Sequence, residues 1–190
     1  MRIITKAIIF AITIPAIASS AYVAAQVQGD DAHTGPTMNH HRVDERLSTG
    51  GHFVEGGLAA IHEQGIRVVI DLRDKPPANQ KQRLAELGIE WINIPVVWAS
   101  PEKVDFERFS DAMSKHAADN VLVQCQANYR ASAMTYLYRV LEQQIPEAEA
   151  RKDLLAVWEP SGRWATYMNE ILGSVPVAEP ATERLAGEDD

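Results

Sequence analysis

One short stretch of the chain places a nucleophile, an anion-binding loop and a cation within six residues. Cys125, the only cysteine among 190 residues, is separated from Arg130 by four residues. Free N–H groups at a helix start, the helix dipole and a nearby guanidinium all favour the thiolate form of a thiol. The guanidinium of Arg130 can also hold two oxygens of a tetrahedral oxyanion in a planar fork. The stretch therefore predicts a nucleophile that works on an oxyanion.

The elements that must position these residues are a strand and a helix. Residues 121–124 are apolar and β-branched and follow the turn-like pair Asp119-Asn120, which predicts a short buried strand. From Arg130 to about Gln144 the apolar residues follow a helical period instead. This stripe consists of Met134, Leu137, Tyr138 and Leu141. A free cysteine is most often a small buried hydrophobic side chain. The strand–loop–helix setting favours a functional thiol here.

The strand, Cys125, the short loop, Arg130 and the helix resemble the cysteine-dependent protein tyrosine and dual-specificity phosphatases. The similarity is greatest to bacterial phosphatase-like proteins of the domain family attached to beta-lactamase-like hydrolases. It extends over roughly residues 43–172, in segments of matching order and spacing. These segments are Leu47-Ser-Thr-Gly-Gly51, Val68-Val-Ile-Asp-Leu-Arg73, Gly88-Ile89 and Ile94-Pro95. The resemblance implies a phosphatase fold and a phosphocysteine intermediate on Cys125, without a cofactor. It also implies phosphate binding by Arg130 and the loop, which is Gln126, Ala127, Asn128 and Tyr129.

The loop departs from the usual pattern of this family in three ways. Four residues lie between Cys and Arg instead of five, which is the spacing of rhodanese sulfurtransferases and of some members of the bacterial subgroup. The His that usually precedes the Cys is Gln124. The usual loop glycine is absent, and Asn128 is the residue expected to take a positive φ in its place. Tyr129 is expected to shape the pocket wall.

The proton donor of the family is also missing from its usual position. In the phosphatases an Asp on the loop that corresponds to the one after the predicted strand at residues 90–96 protonates the leaving oxygen, and Trp98 stands there in this chain. Asp105 and Glu102 are the nearest carboxylates. Ser100-Pro101-Glu102 is also an ordinary helix start, with Ser100 as the cap, and this alternative is favoured for Glu102. Asp105 remains the candidate general acid.

Two other polar residues have both a functional and a structural interpretation. The resemblance implies that Ser132 stabilises the departing thiolate, but a Ser in the first helical turn can also satisfy backbone groups. Arg73 follows a predicted strand, so it either faces the substrate phosphate or forms a structural ion pair with Asp71.

Strands alternate with helices along the chain. Strands are predicted at residues 67–72, 90–96 and 121–124, and helices at 54–64, 79–87, 130–144, 146–158 and 161–172, with another ending near residue 116. This order predicts a single α/β domain with a mostly parallel sheet of four to five strands flanked by helices. Trp158 and Trp164 are interpreted as packing residues.

The two ends of the chain have the composition of non-globular segments. Residues 1–25 carry Arg2 and Lys6 before an apolar run and small-residue cleavage sites, which predicts a signal peptide and a secreted or periplasmic protein. A membrane anchor is the alternative, but the apolar run is short and contains Pro15, so no membrane span is expected in the mature chain. Residues 26–42 are predicted to be a flexible leader, 43–172 the phosphatase-like domain, and 173–190 a disordered acidic tail.

The charge and the histidines limit the possible partners. A formal net charge of −8 argues against binding to nucleic acid or to an anionic membrane. His33, His40 and His41 lack partners at metal-ligand spacing, so no metal site is expected, and His52 is a secondary candidate at the rim of the site. The leading hypothesis is a phosphatase acting on a phosphorylated small molecule or a phosphoprotein. A rhodanese-like sulfurtransferase that uses a Cys125 persulfide, or a catalytically silent oxyanion-binding or redox-sensing domain, are the alternatives.

Overall fold

A five-stranded sheet organises residues 35–174, the part of the chain that the computed structural model describes. The strands are β1 (His41–Arg42), β2 (Leu47–Gly50), β3 (Val68–Arg73), β4 (Glu90–Val96) and β5 (Val121–Gln124), in the spatial order β1-β2-β5-β3-β4. All neighbours pair in parallel except β1, which is antiparallel to β2. The predicted α/β domain with a mostly parallel sheet of four to five strands is confirmed.

Six helices flank this sheet within residues 35–174. They are α1 (Gly57–Glu63), α2 (Gln80–Glu86), α3 (Lys103–Lys115), α4 (Tyr129–Leu141), α5 (Glu147–Val157) and α6 (Gly162–Ser174). Helix α1 begins three residues later than the apolar pattern predicts, because its N-cap Gly56 has a left-handed conformation with φ of 74°. The other helices agree with the prediction to within a few residues. None of the described helices is long and apolar enough to cross a bilayer.

The two faces of the sheet carry separate hydrophobic cores. Alternating residues of β5 point to opposite faces, so Val121 and Val123 join the larger core and Leu122 the smaller one. The larger core contains the inner faces of α3, α4 and α6, and Trp164 and Phe109 are among its fully buried side chains. Cys125 continues the alternation onto this larger side, directly beyond the end of β5.

Part of the predicted leader belongs to the folded domain. Thr37 is completely buried and forms a bridge with Phe53, and β1 adds an edge strand to the sheet. A β-carbon at Gly50 would lie 1.9 Å from the Thr37 hydroxyl oxygen, so this packing requires glycine. The flexible leader therefore does not extend to residue 42. The predicted signal peptide lies outside the described residues, as does the acidic tail beyond Ser174.

Candidate active site

Cys125 lies at the carboxyl edge of the central strand of the sheet. Its neighbour Gln124 is in register with Gly50 of β2 and with Asp71 of β3. The Cys125 N–H donates to the carbonyl of Gly50 at 3.0 Å, which holds the start of the loop against β2. The carboxyl edge of a parallel sheet is where ligands bind in open α/β folds. The strand order therefore places the thiol where a substrate can reach it.

A pocket of about 320 Å³ opens at this edge. Its lining residues come from the loop after β4, from the loop between β5 and α4, and from the first turn of α4. They are Trp98, Cys125, Gln126, Ala127, Tyr129 and Arg130. The side chain of Cys125 is only 1% exposed and packs against the larger core, so it forms the floor of the pocket. The predicted loop residues and Arg130 are thus brought together around the thiol, except for Asn128.

Asn128 shapes the loop from behind the pocket. It is completely buried and has φ of 68°, which confirms the positive φ predicted in place of the missing glycine. Its side-chain amide donates to the carbonyl of Asn39 at 2.6 Å, and the Asn39 amide donates to the carbonyl of Ala127 at 3.1 Å. Residues of the predicted leader therefore hold the loop in its shape.

Two carbonyl groups of the loop accept hydrogen bonds from neighbouring residues, whereas several of its backbone N–H groups have no backbone acceptor within residues 35–174. The His52 N–H donates to the carbonyl of Gln126 at 3.0 Å, and Ser132 binds the carbonyl of Asn128. The N–H groups of Gln126, Ala127 and residues 129–131 donate to no backbone acceptor within residues 35–174. Free amides at the N-terminus of α4 create a favourable environment for an anion. The arrangement is the oxyanion cradle that the spacing predicts.

Arg130 lines the same pocket, with only one nitrogen of its guanidinium hydrogen-bonded within residues 35–174. Its Nη1 donates to the carbonyl of Val96 at 2.6 Å and to the Asp74 carboxylate at 3.2 Å. Neither Nε nor Nη2 has an acceptor within residues 35–174. These two nitrogens form the edge that can bind two oxygens of a tetrahedral anion. The hydrogen bond from Arg130 lowers the pKa of Asp74, so this carboxylate is ionised at neutral pH.

Arg73 belongs to a buried network and not to the pocket, which corrects its candidate role in substrate binding. Its Nε and Nη2 donate to the two oxygens of Asp71 at 2.9 and 2.7 Å, and Nη2 also contacts Gln80. The Gln124 side-chain oxygen accepts a bond from the Gln80 amide at 2.8 Å, and its amide donates to the carbonyl of Gly51 at 3.0 Å. The structural ion pair with Asp71 is therefore the interpretation that the structure supports. Gln124 is the residue before Cys125 and stands in the place of the family His. These hydrogen bonds hold its side chain in position.

Asp105 caps a helix and does not line the pocket. Its carboxylate accepts a bond from the Glu102 N–H at 2.9 Å, and the two acids form a reciprocal capping box at the start of α3. Glu102 is therefore the N-cap, two residues beyond the predicted Ser100. The Tyr167 hydroxyl donates to the carbonyl of Glu102 at 3.2 Å, and burial raises the pKa of this tyrosine. Asp105 therefore fixes the start of α3 and is not among the residues that line the pocket.

Ser132 is bound within the first turn of α4. Its hydroxyl oxygen lies 2.8 Å from the carbonyl of Asn128 and 3.2 Å from that of Tyr129. The same oxygen accepts a bond from the Trp158 indole at 3.2 Å. Ser132 therefore links the loop backbone to the segment after α5, and the interpretation as a backbone-satisfying serine accounts for the contacts it makes.

The rings of Trp98 and Tyr129 line the pocket, and those of Trp158 and Trp164 pack against them. Tyr129 stacks on Trp158 with ring centroids 4.8 Å apart, and Trp98 stacks on Trp164 at 5.2 Å. Trp98 is 44% exposed, whereas Trp164 is buried and its indole donates to the carbonyl of Trp98 at 3.1 Å. The packing role predicted for Trp164 agrees with its burial. The sequence did not indicate that Trp158 and Trp164 would support the pocket residues.

The histidines make local contacts. His52 Nδ1 lies 3.0 Å from the carbonyl oxygen of Gln126, so this residue buttresses the outer side of the loop. His41 pairs with Asp153 of α5 at 2.8 Å. Within residues 35–174 no group of three or more His, Cys, Asp and Glu side chains could hold a metal ion.

The family described as a DSP-PTPase phosphatase fused to NAD+ kinase matches residues 15–166 of the chain. No curated protein matches the chain by sequence. Among solved structures, a DUF442 protein of Shewanella putrefaciens CN-32, described as a candidate phosphatase, is 30% identical. It aligns with a TM-score of 0.62 over 72% of this chain and 90% of its own.

Two more distant structures share the fold. PTPMT1, solved in complex with PI(5)P, is 16% identical and aligns with a TM-score of 0.59 over 70% of this chain and 93% of its own. The core catalytic domain of the PP-IP phosphatase SIW14 from S. cerevisiae is 15% identical, also with a TM-score of 0.59. That alignment covers 72% of this chain and 85% of the yeast domain.

Proposed function

Because the chain belongs to the family of DSP-PTPase phosphatases fused to NAD+ kinase, we propose that it hydrolyses a phosphate monoester through a phosphocysteine on Cys125. The observation that carries this mechanism is the convergence of three groups on one pocket. These are the Cys125 thiol, the free N–H groups of the loop and the unpaired edge of Arg130. The substrate is a phosphorylated small molecule or a phosphoprotein.

The first step is attack by the Cys125 sulfur on phosphorus, in line with the departing oxygen. The S–P bond forms as the P–O bond breaks, and the leaving group carries away the electron pair of that bond. Loop amides and Nε and Nη2 of Arg130 bind the equatorial phosphate oxygens, on which charge develops in the transition state. In the second step water attacks phosphorus, the S–P bond breaks, and inorganic phosphate leaves with the thiolate restored.

The loop geometry supports the thiolate in this mechanism. Cys125 lies just before the N-terminus of α4, and no carboxylate is among the residues that line its pocket. Helix N-termini and oriented amides stabilise a negative charge placed against them. In this mechanism the attacking sulfur therefore lies beside the same groups that bind the phosphate dianion.

A paired assay with the purified protein and its Cys125→Ser variant tests the mechanism. An aryl phosphate is given to both, and acid-quenched samples are analysed by mass spectrometry for a phosphate adduct on Cys125. We expect phosphate release and the adduct with the natural protein, and neither with the variant. Hydrolysis that persists in Cys125→Ser would overturn the phosphocysteine mechanism. Arg83→Lys, a change at an exposed position on α2, is the control for handling and folding.

Thiosulfate with cyanide provides the second arm of this assay. The four-residue spacing between Cys125 and Arg130 is also found in rhodanese sulfurtransferases, which form a persulfide. Cys125-dependent thiocyanate formation without phosphate release would assign sulfur transfer to this pocket. Silence in both arms, with a melting temperature raised by inorganic phosphate, would assign a binding role instead.

We also propose that the protein is exported to the periplasm or secreted. The support is the order of Arg2 and Lys6, the apolar run over residues 7–17 and the small residues that follow it. N-terminal sequencing of the protein from a periplasmic fraction tests this, and an N-terminus within residues 19–27 is expected. An intact Met1 on protein found only in the cytoplasmic fraction would overturn the proposal.

A further inference from the structure

The pocket around Cys125 has no side chain suited to protonate a departing oxygen. Of its six lining residues only Cys125, Tyr129 and Arg130 can ionise. The thiol is the nucleophile, and the guanidinium does not release a proton in proteins. Phenols are in general weaker acids than carboxylic acids and imidazolium groups, and within residues 35–174 no Asp, Glu or His lines the pocket.

Three carboxylates on neighbouring segments, Asp74, Asp105 and Asp71, already accept hydrogen bonds within the protein. Asp74 is ion-paired with Arg130 at 3.2 Å. Because this contact lowers its pKa, Asp74 carries no proton to give at neutral pH. Asp105 accepts the N-cap bond of α3, and the two oxygens of Asp71 accept bonds from Nε and Nη2 of Arg73. Each group is therefore committed to a cation or a backbone N–H.

Trp98 lines the pocket at the position where the phosphatases that this chain resembles carry their proton donor. It follows β4, on the loop that supplies the proton donor in the phosphatases that this chain resembles. Its backbone carbonyl accepts a bond from the buried Trp164, and its ring packs on Trp158 and Trp164. Tyr129, stacked on Trp158, adds a second aromatic surface to the same wall. A flat apolar group would contact these rings favourably.

Building on the proposed function, we infer that the leaving group departs from this site unprotonated, against the Trp98 and Tyr129 rings. The site thereby selects phosphate esters whose leaving group is flat, apolar and stable as an anion, such as aryl phosphates, over alkyl phosphates. The P–O bond breaks with both electrons on the departing oxygen. That oxygen takes its proton afterwards from bulk water, while phosphorus is transferred to the sulfur of Cys125.

The dependence of rate on leaving-group basicity tests this inference. A general acid typically contributes about 10² to 10⁴ in rate, and it does so by cancelling charge on the leaving oxygen. Without one, kcat/KM falls steeply as the leaving group becomes more basic. For a series of substituted phenyl phosphates we expect a loss of roughly tenfold for each unit of phenol pKa, and the lowest values for an alkyl phosphate.

Two substitutions at position 98 separate proton donation from the loss of the aromatic wall. Trp98→Asp restores a carboxyl group, so we expect a flatter dependence and a gain of about tenfold or more for phenyl phosphate relative to the nitrophenyl ester. Trp98→Asn removes the same ring but has no proton to give, so it should keep the steep dependence. As a third variant, Trp98→Phe should keep both the steep dependence and the preference for flat leaving groups.

The outcomes distinguish this inference from the proposed function. Cys125-dependent hydrolysis whose kcat/KM does not change with leaving-group pKa would overturn the inference and leave the phosphatase function standing. Equal slopes for Trp98→Asp and Trp98→Asn, in proteins whose circular dichroism shows them to be folded, would also overturn it. Absence of Cys125-dependent hydrolysis across the whole series would overturn both.

Discussion

Arg73 and Arg130 are both buried arginines beside the central strand, yet their surroundings give them opposite tasks. Arg73 is 4% exposed, and Nε and Nη2 both donate to Asp71. Arg130 is 7% exposed and makes its two hydrogen bonds through Nη1 alone. Arg130 lines the pocket, and its Nε and Nη2 have no acceptor within residues 35–174, whereas the same two nitrogens of Arg73 donate to Asp71. Burial of an arginine therefore does not show its function, because the two differ in whether the Nε and Nη2 edge is already hydrogen-bonded.

The largest effect on stability is expected for the buried ion pair of Arg73 and Asp71. Arg73→Met leaves Asp71 fully buried without its cation, and breaking a buried pair in this way costs about 3–5 kcal/mol. Urea unfolding followed by tryptophan fluorescence measures the change. The double variant Asp71→Asn with Arg73→Met should recover part of the loss, because no unpaired charge remains. A single variant as stable as the natural protein would contradict the structural role of this pair.

Arg130→Lys is expected to lower the activity strongly and the stability only slightly. Lysine retains the charge but lacks the planar fork, so kcat/KM for an aryl phosphate should fall by about 10²- to 10³-fold, as is typical for loss of a transition-state donor. The free energy of unfolding should change by no more than about 1 kcal/mol, since Arg130 makes only two hydrogen bonds through one nitrogen. Arg83→Lys provides the matched conservative change at an exposed site. Full activity in the Arg130→Lys variant would remove Arg130 from the mechanism.

Asn128 tests whether the shape of the cradle depends on its left-handed residue. Asn128→Ala places an alanine at φ of 68° and removes the bond to Asn39, so a destabilisation of about 1–2 kcal/mol is expected, with weaker phosphate binding. Asn128→Gly accepts the backbone conformation but also lacks the hydrogen bond to Asn39. It should therefore recover only the part of the lost stability that comes from backbone strain. Calorimetry and inhibition by inorganic phosphate measure the two effects. Equal free energies of unfolding for Asn128→Ala and Asn128→Gly would show that backbone strain is not important at this position.

The smallest effect concerns Asp74 and acid pH. Its pKa is lowered in the folded protein by the Arg130 hydrogen bond. The stabilisation is therefore present above the ordinary aspartate pKa of about 4, and it is lost as the pH falls through the lower folded value. As the carboxylate is partly exposed, we expect at most about 1 kcal/mol.

Unfolding of the natural protein and of Asp74→Asn, compared between neutral and acid pH, measures this contribution. The two proteins should differ at neutral pH and converge in acid once the pH is below the lowered pKa of folded Asp74, where the aspartate is protonated in both states. A difference that persists unchanged in acid would show that the ion pair with Arg130 is not its source.

Local patterns in the chain predicted most of the elements correctly. The strands at residues 90–96 and 121–124 have the predicted bounds, because the first follows the helix stop at Gly88 and the second is an apolar, β-branched stretch that follows Asp119-Asn120. The two-residue strand β1 was missed because it is too short to show alternation, and its stability comes from pairing with β2. The start of α3 was placed two residues early, since the capping box of Glu102 and Asp105 prevailed over the Ser100 signal.

The candidate site was predictable only where its residues are contiguous. Cys125, the loop and Arg130 line one pocket, as their spacing predicts. The hydrogen-bond partners of Arg73 were not predictable, because Gln80 and Gln124 come from α2 and β5, which are distant in sequence. The capping role of Asp105 was equally open until the position of α3 was known.

The sequence by itself determined the strand, the loop and the helix around Cys125, since backbone geometry over neighbouring residues follows from local residue types. It also determined the positive φ of Asn128 and the proximity of Arg130 to the thiol. Only the tertiary structure decided which arginine keeps a free edge and which carboxylates are already engaged. It also decided that an aromatic ring, Trp98, lines the pocket. These features depend on which donors meet which acceptors across segments distant in the chain, and no local pattern encodes that pairing.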